Sequence, residues 1–107
     1  MNEVFIVAAA RMPIGAFGGA LSSVSAVDLG ALVIAEAVKR SGVAIEDIEE
    51  VFMGNVLSAN LGQAPTKIAA LQAGLSVRTP CTTVNKVCAS GMKAIMFATQ
   101  AIRSGDI

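Results

Sequence analysis

Pro80-Cys81-Thr82-Thr83-Val84-Asn85-Lys86-Val87-Cys88-Ala89-Ser90-Gly91-Met92-Lys93 is the stretch on which the reading of this 107-residue chain turns. Pro80 to Val84 is β-branched enough for a strand, with its proline at the first residue, where a missing N–H does least harm. Asn85-Lys86-Val87 reads as a turn. From about Ala89 to Ser104 the pattern becomes helical, with Gly105 as the C′ stop. Ile95, Met96, Phe97, Ala98, Ala101 and Ile102 ring much of that helix, which predicts burial on several sides.

The same alternation extends back toward Met1. Pro65 at a first helical position and Gly74 past the end bracket a short alanine-rich helix through Thr66 to Ala73. Ser58 to Gln63 is loop-like, Glu50-Val51-Phe52-Met53 is a strand closed by Gly54, and Ile45 to Ile48 has room for one helical turn. Ser25 is an N-cap with acidic Asp28 three residues on, and Gly42 follows Lys39-Arg40, which sets a helix from about 26 to 41. Val27, Ala31, Ile34 and Val38 share its apolar stripe, Leu29, Leu32 and Val33 widen it into a thick core face, and Glu36 and Arg40 pair at i,i+4. Val4-Phe5-Ile6-Val7 reads as a strand buried on both faces, followed by a Gly- and Pro-punctuated loop from Arg11 to Gly19 that lacks G-x-G-x-x-G. Strand, helix, strand, helix, strand, helix predicts an α/β fold with crossover units and a largely parallel sheet. No internal repeat or low-complexity tract interrupts it.

Composition removes several functions. Eight Lys+Arg balance eight Asp+Glu with no clustering, which leaves no electrostatic footprint for nucleic acid or an anionic membrane surface. The longest apolar run, Val4 to Ala10, falls far short of the roughly 20 residues of a membrane span. With no His, and two Cys separated by six intervening residues, neither a zinc site nor a Cys-x-x-Cys redox pair is expected. Met1-Asn2-Glu3-Val4 has no cationic n-region and no presequence character, so the expectation is a cytoplasmic protein.

Cys88 is where the chemistry lies. A thiol at a helix start meets unpaired N–H groups and the positive end of the helix dipole, both of which favour the thiolate. The same N–H groups suit the oxyanion formed when that thiolate attacks a carbonyl. Tight packing is the plainer reading, because cysteine is often buried and small residues crowd many helix starts. Cys81, inside a strand and away from any helix start, reads as inert core. Lys86 and Lys93 raise the local potential or are plain surface charges. Since His is the usual partner of a nucleophilic Cys, any base for Cys88 must come from elsewhere.

Val4 to Gly15, Met53-Gly54-Asn55-Val56, Gly62-Gln63-Ala64-Pro65 and Asn85 to Ile95 together resemble the N-terminal part of the thiolases, in order and from end to end, closest to the acetyl-CoA acetyltransferases. The resemblance implies residues 1–107 are the leading part of the thiolase fold, a mixed sheet of order 3-2-1-4-5 whose fourth and fifth strands fall beyond Ile107. It implies Claisen condensation of two acetyl-CoA to acetoacetyl-CoA, and the reverse thiolytic cleavage, through an acyl-thioester on Cys88. The Cys88 N–H would serve one of the family's two oxyanion holes. Acetyl-CoA, acetoacetyl-CoA and CoA are the implied partners, as substrates rather than bound cofactors, and no metal is implied. A homo-oligomer, dimer or tetramer, is implied through pairing of the strand at Pro80 to Val84 with its copy. The family's catalytic His, second Cys and Asn-bound water belong to later segments. The 107 residues alone are therefore expected to be inactive, with one flank of the first strand unpaired and the Cys88 helix uncovered. The alternatives are a non-catalytic module with a thiolase-like half-fold, a ketoacyl synthase-like Cys acyltransferase, and an oxidisable Cys88.

Overall fold

The computed structural model describes residues 1–107. Helix α1 (Ala26–Ser41) is followed by a 3-10 turn (Ile45–Asp47), strand β1 (Val51–Gly54), helix α2 (Pro65–Gln72), strand β2 (Cys81–Val84) and helix α3 (Ser90–Ser104). The local signals act where they stand in the sequence. Ser25 Oγ accepts the Asp28 N–H at 3.0 Å, Glu36 holds Arg40 at 2.8 Å, and Gly42 closes α1 in the left-handed region at φ 71°. Pro65 opens α2, and Gly105 ends α3 at φ 82°.

The two strands pair in parallel, Val51 with Cys81 through Gly54 with Val84. Val51 N–H to the Pro80 carbonyl and Asn55 N–H to the Val84 carbonyl, each 3.0 Å, extend the ladder at both ends. Helix α2 is the crossover between them, as a parallel pair requires. It is covered in turn by α1, and the core sits there: Val27 and Ala31 of α1, Ala69 and Ala70 of α2, and Leu75 after it. Gly30 sets the spacing, since a Cβ there would meet Met53 Sδ at 3.1 Å and Ala69 Cβ at 3.2 Å. Thr66 is fully buried where α2 begins and its hydroxyl lies 2.7 Å from that of Thr83, which ties helix to strand.

Two expectations fail. Val4-Phe5-Ile6-Val7 forms no strand, and Phe5, Ile6 and Val7 stay 73%, 84% and 69% exposed. The reason is pairing: no backbone group of that run meets a ladder partner, and β-branched composition cannot substitute for one. The segment is instead pinned by side chains, Asn2 to the Ile102 carbonyl at 3.1 Å and Arg40 to the Ala9 carbonyl at 2.8 Å. Nor is α3 buried on several sides. Only Ser90 and Ala94 are buried there, while Phe97 packs on Phe52 with ring centroids 6.0 Å apart and Met92, Ile95 and Met96 face outward. Helix α3 thus has one packed side and one bare side. No helix is long and apolar enough to cross a membrane.

Candidate active site

The carboxyl end of β2 runs into a four-residue turn that delivers Cys88 to the start of α3. Asn85 begins it by accepting the Val87 N–H on Oδ1 at 3.0 Å, a side-chain mimic of a backbone turn. Val87 then sits at φ 48°, a left-handed conformation that β-branched residues seldom adopt. Its side chain is 66% exposed, so packing does not hold it there. Hydrogen bonds do: Ser90 Oγ accepts the Lys86 N–H at 2.8 Å and donates to the Val87 carbonyl at 2.6 Å. Two backbone bonds close the loop, Ala89 N–H to the Lys86 carbonyl at 3.0 Å and Ser90 N–H to the Val87 carbonyl at 3.2 Å.

Cys88 emerges from this turn exposed, as a free thiol. Its N–H has no acceptor within the chain, and α3 has no side-chain cap on its first turn. A free thiol and an unpaired donor therefore belong to one residue at the positive end of a 15-residue helix. Space is left around them, because a Cβ on Gly91 would meet nothing within 4 Å. Beneath them the packing is tight. A Cβ on Gly54 would lie 2.6 Å from Gly91 N and from the Ser90 carbonyl carbon, so β1 meets the start of α3 backbone to backbone.

The remaining expected residues are placed differently. Cys81 opens β2 half-buried rather than in the core, with Sγ 3.4 Å from the Thr79 carbonyl. Burial pushes its thiol up from the ordinary range; Lys67 pulls it back and Glu50 adds to the rise. Lys93 is engaged over the Phe97 ring at 4.7 Å from the centroid, and Lys86 is exposed. The structure brings no general base to Cys88. Gly54, Val87 and Ser90 carry structural duties that sequence reasoning did not assign; Asn85 two residues before Val87 and Ser90 two residues after Cys88 were the available signals.

Strand, elbow and thiol at a helix start define a candidate nucleophile of the Cys acyl-transfer kind. The chain belongs to the thiolase family: residues 4–107 match the model of the thiolase N-terminal domain. It is 55% identical over 105 residues to the mitochondrial acetyl-CoA acetyltransferase of Bos taurus and 53% identical to that of Homo sapiens, covering 98% of this chain and 25% of each relative. Its fold matches the crystal structure of the Acat5 thiolase of Ascaris suum in complex with coenzyme A, with TM-score 0.95 and 46% identity over 97% of this chain and 27% of that one. The chain thus spans about a quarter of the length of the relatives it matches. These relatives overturn the cytoplasmic expectation, since their names are mitochondrial. Four leading residues, Met1 to Val4, were too little sequence from which to read a compartment.

Proposed function

We propose that the full-length protein carrying this sequence is an acetyl-CoA C-acetyltransferase and that Cys88 is its acyl carrier. The observation that carries the reading is the pairing, on one exposed residue, of a thiol and an unpaired N–H at the start of α3. In the cleavage direction the Cys88 thiolate attacks the 3-keto carbon of acetoacetyl-CoA. The C2–C3 bond breaks, the electron pair leaves on C2, and protonation releases acetyl-CoA. CoA thiol then attacks the acetyl-cysteine, forming a second acetyl-CoA and returning the proton to the enzyme. Splitting the exchange into two thioester steps replaces one hard displacement with two easier ones. The names of the relatives and the coenzyme A bound to the Ascaris thiolase support CoA thioesters as substrates.

Proton transfer needs groups that residues 1–107 do not supply, since the chain has no His. The 107 residues alone are accordingly expected to be inactive. Assembly of two or more copies is part of the reading, and the outer edge of β2, unpaired within one copy, supports it. The test is to incubate the full-length protein with acetyl-CoA and read the mass of the peptide containing Cys88. One added acetyl group, absent from Cys88→Ser together with cleavage of acetoacetyl-CoA, is the expected result. Undiminished cleavage by Cys88→Ser overturns the reading.

A further inference from the structure

We propose that Ser90 is a positioning residue, whose buried hydroxyl holds the Asn85–Cys88 turn in the shape that presents the Cys88 thiol and N–H together. The proposal rests on the reading of Cys88 as the acyl carrier. An N-cap hydroxyl ordinarily accepts a hydrogen bond from an N–H of the helix it begins. Ser90 is the first residue of α3 rather than its N-cap, and its hydroxyl, on a residue only 5% exposed, points back out of the helix, accepting the Lys86 N–H and donating to the Val87 carbonyl. Both contacts flank the residue at φ 48°. A left-handed β-branched residue is strained and persists only where its surroundings over-determine it.

Without the hydroxyl, Lys86 N–H loses its acceptor and the Val87 carbonyl keeps only the backbone bond from Ser90 N–H at 3.2 Å, while Asn85 Oδ1 still holds the Val87 N–H. Relaxation of Val87 to negative φ rotates the peptide that carries the Cys88 N–H and so changes where that donor is presented relative to β2 and α3. The surviving backbone bond tethers the helix start, which favours a folded Ser90→Ala variant. The cost then falls on the chemical step rather than on substrate affinity.

The experiment measures CoA-dependent cleavage of acetoacetyl-CoA by the full-length protein and by Ser90→Ala, Ser90→Thr and Thr66→Val. Thr66 supplies the structural control, because its buried hydroxyl contact with Thr83 lies outside the turn. Ser90→Ala is expected to lower kcat roughly 10- to 100-fold with KM within about threefold, and Ser90→Thr to recover most of it. Thr66→Val is expected to lower the unfolding midpoint with kcat within about twofold. A folded Ser90→Ala with unchanged kcat, or an equal kcat loss in Thr66→Val, overturns the proposal. Should Ser90→Ala not fold, Ser90→Cys, which fills the space with a weaker hydrogen-bonding group, reads the same split, and an unchanged kcat there also overturns it. Cys88→Ser, run alongside, separates the two ideas. Activity retained in Cys88→Ser sinks the acyl-carrier reading, whereas an inactive Cys88→Ser beside an unimpaired Ser90→Ala sinks only the role of Ser90.

Discussion

Cys81 and Cys88 are the same side chain seven residues apart, and the fold gives them opposite surroundings. Cys81 opens a paired strand, half-buried, with its sulfur against the Thr79 carbonyl and its proton held more tightly than usual. Cys88 follows a strained turn, exposed, with an unpaired N–H at its own backbone. A thiol becomes a candidate nucleophile through the backbone conformation that carries it. Whatever disturbs the turn should make Cys88 resemble Cys81.

Gly54 offers the strongest disturbance. An added Cβ would lie 2.6 Å from Gly91 N and the Ser90 carbonyl carbon, and neither backbone can move aside as a side-chain tip would. Gly54→Ala is expected to cost about 1–3 kcal/mol of stability, read from denaturant midpoints, and to lower the proposed acyl transfer of the full-length protein with it. A variant with wild-type stability would show that β1 does not brace the start of α3. The next effect in size needs no mutation. Brief treatment of the native protein with iodoacetamide should label Cys88 at least about tenfold faster than Cys81, by peptide mass, because exposure governs access. Equal labelling would erase the distinction between the two.

Much of this was legible because it is local. Ser25, Gly42, Pro65 and Gly105 each satisfy or release backbone groups within a few residues, and the helix limits follow from them. Val4 to Val7 was not, since a strand exists only with a partner and a run of β-branched and aromatic residues carries no information about where that partner is. Cys88 could be picked out by its place at a helix start. The conformation behind it could not, because a valine at positive φ contradicts its own propensity and is dictated by hydroxyl and amide contacts on either side. Gly54 reads in sequence as a strand terminator and does end β1, but its missing side chain is spent on clearance from α3, which a sequence pattern does not display.

Val87 tests that contradiction with a smaller effect. Asparagine tolerates the left-handed region, and the valine side chain is too exposed to be missed. Val87→Asn is expected to be neutral or to stabilise by up to about 1 kcal/mol in chemical denaturation. A loss larger than that would mean that Val87 contributes packing rather than strain.

The smallest effect belongs to Cys81 and is a matter of pH. Its folded-state thiol titrates above the unfolded one, chiefly because burial disfavours the thiolate, with Lys67 opposing and Glu50 reinforcing. For a group raised in the folded state, the contribution to stability is complete below the unfolded thiol's pKa. As pH rises through the interval up to the folded value, the unfolded chain releases its proton first and the folded state loses ground. The part of the pH dependence due to Cys81 should therefore be a decline on the alkaline side, absent near neutrality and removed in Cys81→Val. Unfolding midpoints measured for both proteins from neutral pH upward decide it: curves that stay parallel through the thiol range would mean that the strand does not hold the Cys81 proton, and the contrast between the two cysteines would rest on exposure and backbone geometry alone.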